Sequence, residues 1–147
     1  MKQVVILLGA GSIGQAIARR VSTGKHLVLA DYKLENAQIA AKILEDAGFE
    51  CSTVQTDLSS RSSIVNMVTH AQGFGEISNL INAAGVSPSQ APVDVILKTD
   101  LYGTAVLMEE VGKVIATGGS GIIISSQSGH RLGALPQEQS DALAMTP

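Results

Sequence analysis

Tryptophan is absent from this 147-residue chain, and two tyrosines and two phenylalanines are its whole aromatic complement. A core must therefore be filled by aliphatic side chains, and 45% hydrophobic residues against 16% charged supply them. An aliphatic composition of this kind suits a parallel sheet covered on both faces. The single cysteine, Cys51, excludes an intramolecular disulfide. It stands in no set of ligand-spaced Cys or His residues, so no metal is expected and a structural role is. No apolar run approaches the roughly 18 residues of a membrane span. The first strand-like run begins at residue 2 or 3, which leaves no room for a basic n-region and signal peptide. The expectation is a cytoplasmic protein without a membrane partner. A formal charge of −3 excludes nonspecific binding to nucleic acid. The length suits one domain with a real core.

What is present is a strict alternation of strand-like and helix-like segments. Strands are expected at about 3–8, 26–31, 50–55, 78–82 and 121–126, and helices at about 13–23, 34–47, 60–72 and 92–117. In the second helix Leu34, Ala37, Ala40, Ala41, Leu44 and Ala47 recur at helical spacing, and Gly48 is placed to end it. In the third, Ser59 or Ser60 is the N-cap candidate, with Ile64, Val65 and Val68 facing inward. The fourth is expected to break near Gly103. This alternation predicts an α/β, three-layer, Rossmann-type doubly wound parallel sheet of order 3-2-1-4-5, cut short after its fifth strand. Residues 1–126 form the expected Rossmann domain. Residues 127–147 are expected to be irregular, with a helical turn at most over 141–145, and to begin a missing substrate or catalytic portion. A flexible tail is the alternative.

The densest local signal is Val4-Val5-Ile6-Leu7-Leu8 followed by Gly9-Ala10-Gly11-Ser12-Ile13-Gly14. An apolar strand, G-x-G-x-x-G and a helical stretch stand in the order a dinucleotide requires. Gly9 serves the tight turn, Gly11 the close approach of a pyrophosphate, and Gly14 the packing of helix on strand. Ser12 and Ile13 lie at the helix N-terminus, where free N–H groups face the phosphate charge. The next strand ends in Asp31, 17 residues past Gly14, near the spacing of an acid that accepts hydrogen bonds from the adenosine ribose. That carboxylate favours NAD(H) over NADP(H), because a 2′-phosphate would meet it at close range; Lys33 partly offsets the effect. A simple strand-end acid is the alternative for Asp31.

Further motifs resemble the short-chain dehydrogenase/reductase family over about residues 3–130. They are Thr56-Asp57-Leu58-Ser59 after the third strand, Asn82-Ala83-Ala84-Gly85 at the end of the fourth, and Ser125-Ser126-Gln127-Ser128 at the end of the fifth. The resemblance implies that Asp57 and Leu58 border the adenine, and that Asn82, Ala83, Ala84 and Gly85 support the central strand and line the ribose side. It implies that Ser126 orients a substrate oxygen. Asp57 has capping of the next helix as its alternative, and Ser126 a plain turn. Three departures stand beside the likeness. The glycine loop is one residue shorter than the family's T-G-x-x-x-G-x-G. Asp100, in Asp100-Leu101-Tyr102-Gly103, stands where the family's Asn-x-x-Gly helps hold a water in the proton relay. The catalytic Tyr-x-x-x-Lys is missing: four residues beyond Tyr32 and Tyr102 are Asn36 and Val106, and Gln139 stands at the usual distance past the serine.

Hydride transfer at a carbinol carbon needs a proton moved to or from the oxygen, and a tyrosine must be made more acidic to do this near neutrality. Ser126 can donate a hydrogen bond but is no efficient base. Asp100 is a relay candidate, His130 a lone exposed histidine rather than a base, and Tyr102 helix packing. The implied function is thus an NAD(P)-dependent oxidoreductase acting on a small-molecule carbonyl or alcohol, present as its cofactor-binding part and inactive alone, and a homo-oligomer at full length. A non-catalytic NAD(P)-sensing module is the alternative. A methyltransferase-like or flavin-binding Rossmann domain would not require the Asn82 and Ser126 motifs.

Overall fold

The computed structural model describes residues 1–131 and 133–145. Five parallel strands form one sheet in the order β3-β2-β1-β4-β5: β1 Gln3–Leu8, β2 His26–Asp31, β3 Glu50–Gln55, β4 Glu76–Asn82 and β5 Ser120–Ile123. The order is the expected one, and right-handed crossovers explain how helices come to cover both faces. The helices α1 Ser12–Val21, α2 Leu34–Glu45 and α3 Arg61–Gln72 connect successive strands. Between β4 and β5 run α4 Val93–Ile96, a π-helical stretch Leu97–Tyr102 and α5 Gly103–Gly112.

The strand alternation sorts β1 into two cores. Val4, Ile6 and Leu8 pack with Ile64, Met67, Val106 and Leu107 under α3 and α5. Val5 and Leu7 pack with Ala18, Ala37, Ala40 and Leu44 under α1 and α2. Successive side chains of a strand point to opposite faces, so a central strand buried on both must be apolar throughout, and β1 is. Small alanines on α2 let that helix lie close to the sheet. Its end has the hydrogen bonds of a Schellman motif: Phe49 N–H donates to Leu44 O at 3.0 Å and Gly48 N–H to Glu45 O at 2.9 Å, with Gly48 at φ +88°. Ser60 caps α3 by accepting from Ser63 N–H.

Several expectations need correction. Val65 is 39% exposed; Met67 takes the inward position, because the buried face of α3 runs through 64, 67, 68 and 71. Leu34, the first residue of α2, and Ala47, two residues past its end, are exposed. No break occurs at Gly103. That residue is buried and helical, and a Cβ there would stand 2.4 Å from Leu58 O, so the glycine permits close helix packing rather than an end. The irregularity is the π-helical stretch, which ends at Tyr102 directly before Gly103, so it falls near the expected place although the helix runs on. Beyond β5, the segment expected to be irregular contains α6 Ser128–Arg131 and α7 Gln137–Met145, the latter longer than the single turn expected. Both are exposed. Residues 132, 146 and 147 of that segment lie outside the described residues.

Candidate functional site

The carboxyl ends of β1, β2, β3 and β4 open on one cavity of about 950 Å³. This is the switch point of the sheet, where crossovers leave β1 in opposite directions and a crevice must form. Among the expected residues, Gly9, Gly11, Asp31, Asp57, Leu58, Ala83, Ala84 and Gly85 line it.

The glycine loop divides its labour. Gly9 sits at φ +89°, and a Cβ there would lie 2.6 Å from Ala84 N. Gly14 is closed in as tightly, with Gly9 O at 2.5 Å and Leu7 Cδ1 at 2.7 Å from an ideal Cβ. Gly11 has nothing within 4 Å. Its openness is not a packing requirement, so the space above it is free for a ligand. The loop amides divide likewise. Gly9 N–H donates to Ala30 O at 2.9 Å and Ala10 N–H to Asp31 Oδ2 at 3.0 Å. The N–H groups of Gly11, Ser12, Ile13 and Gly14 have no protein acceptor among the described residues, whereas Gln15 N–H closes the first helical bond to Gly11 O. A helix start with unpaired N–H groups and no acidic residue in its first turn is a ready anion site.

Asp31 ends β2 on the cavity wall. Its Oδ2 takes the Ala10 amide, and its Oδ1 takes Lys33 N–H at 3.0 Å and Asn36 Nδ2 at 3.4 Å. Asp57 Oδ1 accepts from Ser59 N–H at 2.8 Å and Ser59 Oγ at 2.7 Å, a local turn ahead of the Ser60 cap, and the residue also borders the cavity. Asn82 is buried, and its Oδ1 accepts Ala84 N–H at 3.2 Å; it shapes the wall from behind. Asp100 Oδ1 accepts Val86 N–H at 3.0 Å, which ties the π-helical stretch to the turn after β4. Ser126 is not brought to the cavity: it is exposed, and its Oγ donates to Ser128 Oγ at 3.1 Å and accepts Ser128 N–H at 3.1 Å. Ser12, Ile13 and Gly14 follow Gly11 into α1 and do not line the cavity.

Sequence reasoning missed Thr56 and Asn36 as wall residues. Thr56 is buried and its hydroxyl has no protein partner among the described residues. Its position directly before Asp57, at a strand's carboxyl end, was the available signal. Asn36, five residues past Asp31 in the first turn of α2, was legible in the same way. No cluster of three or more metal-ligating side chains occurs among the described residues.

The sequence pattern of the family described as short chain dehydrogenase matches residues 2–137. The chain belongs to the short-chain dehydrogenase family. It is 34% identical over 131 residues to a short-chain dehydrogenase/reductase, bsc3, of Alternaria brassicicola, covering 89% of this chain and 48% of that protein. It is 31% identical over 152 residues to cis-4-hydroxycyclohexanecarboxylate dehydrogenase of Sinomonas cyclohexanicum, covering 96% of this chain and 60% of that one. A short-chain dehydrogenase/reductase mutant from Serratia marcescens superposes with a TM-score of 0.77 at 22% identity, over 90% of this chain and 58% of that structure. The chain thus spans about half the length of the relatives it matches. Members of this family are oxidoreductases that bind NAD(H) or NADP(H). No helix among the described residues is long and apolar enough to cross a membrane.

Proposed function

We propose that this chain supplies the cofactor-binding portion of a cytoplasmic NAD(P)-dependent oxidoreductase that acts on a carbonyl or alcohol carbon, and that its cavity prefers NAD(H). The observation that carries this reading is the unpaired amides at the start of α1, with Gly11 on the cavity wall, beside the Asp31 carboxylate on the same wall. The amides suit a pyrophosphate, and Asp31 retains one free lone pair, on Oδ2, for a ribose hydroxyl. Asp57 and Leu58 would border the adenine, and Ala83, Ala84 and Gly85 would line the ribose side, backed by Asn82. Asp100 holds the Val86 amide there and is the candidate for fixing a water. When bound, the dinucleotide supplies the hydride donor or acceptor. The proton is the remaining requirement. Ser126 would polarise a substrate oxygen, but no Tyr-x-x-x-Lys in the sequence delivers a proton.

The 147-residue chain alone is therefore expected to bind cofactor and not to turn over. Titration with NADH and NADPH should give the tighter binding for NADH, since Asp31 opposes a 2′-phosphate more closely than Lys33 attracts it. Cofactor absorbance with a panel of ketones and alcohols should stay at background. Loss of a general acid alone costs on the order of 10²–10⁴ in rate. Robust turnover by this chain, or tighter NADPH binding, contradicts the proposal. The second reading, a non-catalytic NAD(P)-sensing module, is favoured by the same missing Tyr–Lys pair and by the distance of Ser126 from the cavity wall. It predicts binding without turnover in any longer form as well, whereas the oxidoreductase gains turnover once a Tyr-x-x-x-Lys segment follows.

A further inference from the structure

The bonds of Asp31 point to a role besides ribose recognition. Each of its carboxylate oxygens is engaged by a backbone amide: Oδ2 by Ala10 N–H and Oδ1 by Lys33 N–H, both at 3.0 Å. Ala10 is the residue between the first two glycines of the loop, and Lys33 is the N-cap of α2. The carboxylate thus bridges the end of β1 to the start of the helix after β2. The bridge lies beside a backbone tie between the same two strand ends, Gly9 N–H to Ala30 O at 2.9 Å, while Thr56 N–H fixes Asp31 O at 2.9 Å from the other side.

We propose that Asp31 is a positioning residue for the glycine loop, a staple that holds Ala10 and Lys33 so that the loop, with Gly11 on the cavity wall and the unpaired amides that follow it, keeps its place before any cofactor arrives. The inference rests on the reading of that loop as the pyrophosphate site and deepens it. Its chemistry is specific. A carboxylate has two acceptor oxygens and can serve two donors on opposite sides. An asparagine has one oxygen and one NH₂, so it satisfies one amide and turns a donor toward the other. A serine is too short to bridge the two amides. Loss of the staple frees the Ala10 amide of a loop still held by Gly9 N–H to Ala30 O and by Gln15 Nε2 to Ala10 O, and a loop that must be ordered further on binding lowers apparent affinity for whatever it binds.

This has a consequence for cofactor choice. If Asp31 only repelled a 2′-phosphate, Asp31→Ser would exchange NADH affinity for NADPH affinity. If it is also the staple, Asp31→Ser weakens both. The test uses the cofactor-free chain first, because amide exchange there does not depend on whether any dinucleotide binds. In the unsubstituted chain the Ala10 and Lys33 amides should be protected. In Asp31→Ser both should exchange about tenfold faster or more, while amides of β1 and β2 keep their protection. In Asp31→Asn only one of the two should be lost. A general loss of stability would not produce this graded pattern confined to two amides. NADH and NADPH titrations of the same variants follow: Asp31→Ser should weaken binding of both. Unchanged exchange at Ala10 in both variants overturns the staple, even if the chain binds dinucleotide. A gain of NADPH affinity in Asp31→Ser with the loop still protected overturns it as well. Failure of the unsubstituted chain to bind either cofactor, with protection at Ala10 lost on substitution, instead overturns the pyrophosphate reading and leaves the staple standing.

Discussion

Gly11 and Gly14, three residues apart, make opposite demands. Gly11 has an extended backbone and no neighbour within 4 Å of a Cβ, so a larger residue costs the fold little. Gly11→Val should change unfolding free energy by no more than about 0.5 kcal/mol, as at an unconstrained surface site, and yet abolish dinucleotide binding, checked by thermal melting and calorimetric titration. Gly14→Ala meets Gly9 O and Leu7 Cδ1 below 3 Å and should cost about 1–3 kcal/mol of overpacking. The motif made all three loop glycines legible, because a strand, a turn and a helix start constrain residue type locally. Which glycine serves packing and which serves the ligand depends on Leu7 and Ala84, and that is set by tertiary contact. The staple at Asp31 was invisible for the same reason. Its spacing from Gly14 suggested a ribose partner, but whether its carboxylate reaches Ala10 depends on how β1 and β2 pair.

Elements show the same division between local signal and packing. The β-strands were placed within a few residues because apolar runs bounded by Gly, Asp and Ser are strong local signals. The inward face of α3 was misjudged at Val65 because valine is apolar wherever it sits, and only the sheet beneath chooses Met67 instead. The π-helical stretch left no sequence trace beyond Gly103, whose role is to approach Leu58. At the amino end of the sheet an ion-pair cluster ties three strands. Glu50, at the start of β3, accepts from Lys2 and from His26 Nδ1, whose ring also stacks on Phe74 with centroids 4.0 Å apart. The Lys2 bond, and then that of His26, holds the Glu50 carboxyl below its usual value. A depressed folded-state value gives stability that is present above the unfolded-state value and is lost as pH falls through the folded one. Acid melting curves of Glu50→Gln should therefore be flatter than those of the unsubstituted chain below about pH 5. Identical slopes would mean that solvent screens the cluster entirely. Beneath α1 and α2, Leu7→Ala should cost about 2–5 kcal/mol, because the site is fully buried and lined by alanines and leucines on a rigid sheet. Denaturant melts measure this, and a cost below 1 kcal/mol would argue that the layer collapses around the gap.

For the whole molecule, the sheet order and the cavity follow from the alternation of segments together with the handedness of crossovers, so both were legible in the sequence. Ser126 was not. Its place at a strand's carboxyl end suggested the site, but β5 ends at Ile123, three residues short of it, and the serine hydroxyl instead accepts the Ser128 N–H. Ile122 in β5, Ile124 just after it, and Val93, Leu97, Leu101 and Met108 along the helical run before it are exposed. Exposed apolar side chains favour association where they adjoin one another, and sedimentation at increasing concentration should show dimers or larger species; a strictly monomeric chain would count against a homo-oligomer. The central claim is that the cavity at the carboxyl end of the sheet binds a dinucleotide through the amides of Gly11–Gly14. An NADH titration followed at each backbone amide tests it most directly. The account predicts saturable shifts concentrated at Gly11, Ser12, Ile13, Gly14 and Asp31, absent in folded Gly11→Val. Saturable binding whose shifts fall elsewhere, or a folded chain that NADH leaves unperturbed, would contradict it.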